Sequence, residues 1–143
     1  MQAITPLNRR ANLIKLANYF KRHKKLQAGF DMYDFTDYKH RSENTCGTVG
    51  CAIGHGPHAG IPKTEKDWYS YSENFVSGCS TTAFEFMFGA TWKYHDNTKI
   101  GVVRRIAYFL VNGVPLVFSL HTTDKYTRSM ELYRGYENLL PPN

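Results

Sequence analysis

Two of the three cysteines, two of the six histidines and five of the eleven glycines fall within residues 42–60, Ser-Glu-Asn-Thr-Cys-Gly-Thr-Val-Gly-Cys-Ala-Ile-Gly-His-Gly-Pro-His-Ala-Gly. A thiol just ahead of tiny residues suits a nucleophile at a helix start. There the free backbone donors and the positive end of the dipole stabilise the thiolate and lower its pKa from about 8.5. Cys46 is placed for that role. A cysteine hydrolase also needs a base, and His95 and His121, each near the end of an expected element, are the available ones. Metal binding is the second chemistry: Cys46, Cys51, His55 and His58 would satisfy tetrahedral zinc in number. Their spacing, Cys-x4-Cys-x3-His-x2-His, is not two short knuckles separated by a longer connection, so neither a metal nor another cofactor is expected.

The third chemistry is phosphate recognition. Gly47, Thr48, Gly50, Cys51, Gly54 and His55 can form a turn whose amides face an anion, with Arg104 and Arg105 adding charge. Neither the lysine-containing phosphate loop nor the dinucleotide fingerprint is present. The competing reading is packing, in which the two cysteines are small buried residues and the glycines let a short helix approach its neighbours closely. With papain-like enzymes the segment shares only a cysteine among small residues, and the aromatic residue that follows their nucleophile is absent.

Charge supplies the fourth candidate. The net +6 is concentrated in residues 1–30, which hold seven cations and no acid, while the remainder sums to −1. A local positive potential of this kind attracts phosphates or an acidic partner. Arg9, Arg10, Lys21, Arg22 and Lys25 would form a nucleic-acid or partner surface, and the ten tyrosines supply rings that can stack on bases. The plain alternative is a solvated helix face. Asp31, Asp34 and Asp37 recur every third residue but lack the glycine and glutamate of a calcium loop, so they read as caps or as acids answering the basic helix.

The elements that must position these groups are mostly helical. An amphipathic basic helix over about 7–26 carries Leu13, Leu16, Ala17 and Phe20 at core spacing, with Pro6 at its start and Gly29 as its stop. One or two helical turns are expected over Gly47–His55 and a loop over Gly56–Lys66. Asp67–Val76 reads as a strand or an aromatic loop. Thr82-Ala-Phe-Glu85 matches a capping box ahead of a short helix closed by Gly89. A core helix over about 99–112 has Asp96, Asn97 or Thr98 as cap, Gly113 as terminator and Pro115 beyond, with Arg104 and Arg105 emerging beside its apolar stripe. Leu116–Leu120 is a candidate strand, and Met130–Leu140 has weak helical character. The expectation is α+β, predominantly helical, one compact domain over 1–143 with a minor strand component. No apolar run approaches the ~20 residues of a membrane span and no export signal opens the chain, so a cytoplasmic protein with free thiols and no membrane contact is expected.

Two segments resemble small uncharacterised proteins of bacteriophages and bacteria. One is Cys46-Gly-Thr-Val-Gly-Cys-Ala-Ile-Gly-His55; the other is Phe86-Met-Phe-Gly-Ala-Thr-Trp92 with Asn97-Thr98 and Arg105-Ile-Ala-Tyr108. The resemblance covers about half of the chain and brings no established activity. Relatives carry tryptophan where this chain has His55, which argues against His55 as an essential ligand or base. What the resemblance implies is a phage-type accessory protein in the host cytoplasm that disables a host factor or sequesters a host nucleotide signal. The leading expectation is therefore a binding protein for a phosphate-bearing small ligand or a host protein. A Cys46 hydrolase and a nucleic-acid-binding protein are the alternatives, and the oligomeric state is left open.

Overall fold

A computed structural model describes residues 6–23, 52–76, 82–88, 98–115 and 133–142. These residues form four helices, α1 (Pro6–Arg22), α2 (Trp68–Tyr71), α3 (Thr82–Phe88) and α4 (Lys99–Asn112). Single 3₁₀ turns cover Ile53–His55, Pro57–Ala59, Ser72–Asn74 and Tyr136–Leu139. Among the described residues the architecture is helical and contains no strand. The candidate strand at Leu116–Leu120, the aspartates at 31, 34 and 37, and the glycines at 29 and 89 lie outside the described residues.

The helix pair α1 and α4 is the centre of the packing. Leu13, Leu16, Ala17 and Phe20 of α1 are at most 2 % exposed, and with Val102, Val103, Ile106 and Ala107 of α4 they belong to one core cluster. Removing a leucine or phenylalanine side chain of this kind from water is worth about 1.5–3 kcal/mol. The α1 helix stops at Arg22, where the His23 N–H is shared between the carbonyls of Tyr19 and Phe20 at 3.1 and 3.2 Å. Positions 24–26 of the expected helix lie outside the described residues. The bounds of α4 follow its signals closely. Thr98 Oγ1 accepts the Gly101 N–H at 3.0 Å, and Gly113, at φ 77°, donates to the Phe109 carbonyl at 2.8 Å.

The segment Asp67–Val76 is helical rather than a strand or loop. Asp67 Oδ1 caps α2 by accepting the Ser70 N–H at 2.6 Å, and a 3₁₀ turn follows directly. Trp68, Tyr71 and Phe75 recur at i, i+3 and i+7, so their rings line one face in successive edge contacts of 5.2 and 5.6 Å. Helical spacing and the cap override the β preference of aromatic residues. Near the C-terminus, where weak helical character was expected over 130–140, the described residues from 133 on form a turn followed by the Tyr136–Leu139 3₁₀ segment, with Gly135 at φ 93° between them. Tyr133 there joins Phe86 of α3 and Tyr108 of α4 in an aromatic cluster with centroid separations of 4.8–5.9 Å.

Gly56 is where the glycine-rich segment requires its small residue. The Tyr71 hydroxyl donates to the Ile61 carbonyl, and the tyrosine ring lies across Gly56, so a Cβ there would sit 2.8–2.9 Å from two ring carbons and closer still to the hydroxyl. The backbone at Gly56 is ordinary right-handed (φ −52°, ψ −47°), so the obstacle is space and not conformation. We predict that Gly56→Ala costs about 1–3 kcal/mol in urea unfolding. Adding Tyr71→Phe should recover only the part due to the hydroxyl. An unchanged midpoint for Gly56→Ala would contradict this packing.

Candidate functional site

The polar flank of α1 binds main-chain carbonyls far away in sequence. Arg9 Nε donates to Glu73 O at 3.0 Å, with its guanidinium also 3.8 Å from the Glu73 carboxylate. Arg10 donates to Leu110 O in the last turn of α4 at 3.3 Å, a cation at the carbonyl end of a helix. Asn12 donates to Asn74 O, Asn18 to Pro141 O and Lys21 to Glu137 O, each at 2.9 Å. Of the expected basic surface, then, Arg9, Arg10 and Lys21 serve the fold, Arg22 is exposed, and Lys25 lies outside the described residues.

The arginines of α4 are held in the same manner. Arg104 forms a two-point pair with the Glu137 carboxylate at 3.1 and 3.2 Å. Arg105 does not emerge from the helix as its sequence position suggested. It shares the face of Val102 and Ile106, is 1 % exposed, and its Nε donates to Met87 O near the carbonyl end of α3 at 3.2 Å. Lys99, in the first turn of α4, is buried too, which lowers its pKa through loss of solvation.

Gly54 and His55 occupy the first 3₁₀ turn. The His55 ring is 5.3 Å from Phe20 in an edge contact and 6.0 Å from Tyr19, so α1 covers it with aromatic surface. Its ring centre is 6.4 Å from that of His58. Cys46, Gly47, Thr48, Gly50, Cys51, His95 and His121 lie outside the described residues. Among the described residues no group of three or more His, Cys, Asp or Glu side chains is arranged to hold a metal ion, and no helix is long and apolar enough to cross a membrane.

A concavity of about 300 Å³ lies between α1 and the chain around residues 60–62 and 74. Its α1 wall is Asn8, Ala11, Asn12 and Lys15, and its opposite wall is Gly60, Ile61, Pro62 and Asn74. Positions 8, 11, 12 and 15 are i, i+3, i+4 and i+7, one stripe of a helix. Lys15 is exposed and makes no hydrogen bond or ion pair among the described residues. The Tyr71 bond to Ile61 O anchors the opposite wall. Burial, and then the nearby Glu65 carboxylate, push the Tyr71 phenol well above its ordinary pKa, so it remains a neutral donor. Glu65 is itself fixed, its carboxylate accepting from Asn74 Nδ2 and the Thr64 N–H, each at 3.1 Å. The groove thus presents one uncommitted cation among amide side chains.

No protein-family model, curated protein sequence or solved structure matches the chain.

The Arg104–Glu137 pair generates a pH prediction. Burial raises the Glu137 carboxyl, but the Arg104 hydrogen bonds and charge, with the backbone N–H groups of Glu137 and Gly135, outweigh it and hold the group below its ordinary value. Because the folded value lies below the unfolded one, the stabilisation is complete above about pH 5 and is lost as pH falls through the folded value. Glu137→Gln should therefore destabilise at neutral pH, with the gap from the parent narrowing as pH falls below the ordinary carboxylate range in chemical unfolding. A gap independent of pH would contradict the assignment.

Proposed function

We propose that this chain is an accessory binding protein that captures a phosphate-bearing small ligand in the groove between α1 and residues 60–62. The observation that carries the reading is Lys15, an exposed cation with no partner among the described residues, on the wall of a polar concavity. A cation beside uncharged amides suits a phosphate, which needs one strong charge-assisted contact and tolerates neutral neighbours. The volume is at the lower end of small-molecule sites, which favours one compact ligand over a polymer. The commitment of Arg9, Arg10 and Lys21 to main-chain carbonyls leaves no continuous cationic track along α1 and weighs against the nucleic-acid reading. As the setting we propose sequestration of a host nucleotide signal, an anti-defence role.

Thermal unfolding against a panel of nucleoside mono- and diphosphates tests the reading. A ligand at 100 times its Kd stabilises by about 2.7 kcal/mol, which for a chain of this size raises Tm by several degrees. Lys15→Glu should weaken binding by about tenfold or more, while Lys66→Glu, at an exposed lysine that does not line the groove, should leave it unchanged. The proposal fails if no compound raises Tm, or if the Lys15 variant binds as tightly as the parent.

A further inference from the structure

We infer that the groove is built for a phosphomonoester whose other end donates hydrogen bonds, a sugar phosphate or a mononucleotide, and not for phosphate itself; the inference rests on the phosphate reading above. It comes from the orientation of two amides. Asn74 is only 7 % exposed, and its Nδ2 donates to Glu65 Oε2 at 3.1 Å and to the Tyr71 carbonyl at 2.9 Å. Asn12 Nδ2 donates to the Asn74 carbonyl at 2.9 Å. Every one of these partners is an acceptor. Turning either amide over would set oxygen against oxygen, so the orientations are fixed by the network.

With both Asn74 hydrogens committed, the polar atom it has left is Oδ1, an acceptor. That oxygen takes no hydrogen bond among the described residues, yet it is not one of the side-chain atoms sealed from solvent. Asn12 Oδ1 is in the same condition. Both residues line the groove. Two fixed carbonyl oxygens repel a phosphate oxygen and favour a hydroxyl or amino group, while Lys15 on the same wall favours the anion. The groove lining therefore asks for two different groups on one small molecule, an anion for Lys15 and a hydrogen-bond donor for the asparagine oxygens. Filling an oriented acceptor with a donor is the kind of contact that discriminates strongly, because an analogue lacking the donor leaves the oxygen desolvated and unpaired.

Calorimetric titration of the full chain with methyl phosphate, ribose 5-phosphate, adenosine monophosphate and inosine monophosphate tests this. Ribose 5-phosphate or adenosine monophosphate should bind at least about tenfold more tightly than methyl phosphate. A preference for the adenosine over the inosine compound assigns the donor to a base amino group, and equal binding of the two assigns it to the sugar hydroxyls. Lys15→Gln should weaken all four while preserving their ratios. Asn12→Leu should reduce the preference over methyl phosphate and leave methyl phosphate binding in place. The parent comparison decides the matter alone if that variant does not fold. Methyl phosphate binding as tightly as the larger compounds overturns the donor requirement and leaves the phosphate reading standing. Binding by none of the four overturns both.

Discussion

The described fold depends on α1 donating side-chain hydrogen bonds to main-chain carbonyls of segments far away in sequence. Among the described residues there is no β-ladder, and short helices joined by 3₁₀ turns leave many carbonyls at element ends without an intrahelical donor. Arg9, Arg10, Asn12, Asn18 and Lys21 reach carbonyls 62 to 123 residues distant. Each bond contributes only about 0.5–1.5 kcal/mol net, but losing the donor from a part-buried carbonyl costs its desolvation as well. The buried stripe of α1 therefore sets where the helix lies, and its polar flank sets what lies against it.

This arrangement changes the meaning of the positive charge at the start of the chain. A run of cations without acids reads as an anion-binding surface when only the sequence is considered. In the fold, three of those cations are structural donors, and their charges sit close to carbonyl dipoles and, for Arg9, near Glu73. The α4 arginines follow the same pattern, Arg104 with Glu137 and Arg105 with the carbonyl end of α3. Among the described residues, Lys15 differs from these in making no hydrogen bond or ion pair, and it lies on the wall of a concavity.

The legible parts of the sequence were those with a strong local signal. Helix α4 follows its Thr98 cap and Gly113 terminator, and the core face of α1 follows the spacing of Leu13, Leu16, Ala17 and Phe20. The segment around Trp68, Tyr71 and Phe75 was misread because aromatic content suggested a strand, although the i, i+3, i+7 spacing and the Asp67 cap were both present. Arg105 was expected outside because a charge usually is; its burial depends on Met87, supplied by another helix. The groove had no local signature at all. Asn8, Ala11, Asn12 and Lys15 make no apolar period and no motif, and the facing wall comes from residues some fifty positions later.

The central claim is that the site lies on the Asn12, Lys15 and Asn74 side of α1 and not on the glycine turn and α4 arginines that the sequence favoured. Nuclear magnetic resonance of isotope-labelled protein titrated with ribose 5-phosphate tests it most directly. The account predicts that the largest shifts fall on the Asn12 and Asn74 side-chain amides, the Lys15 side chain and the Gly60 amide. Largest shifts at Gly54, His55 and Arg104, with the groove residues unmoved, would contradict it.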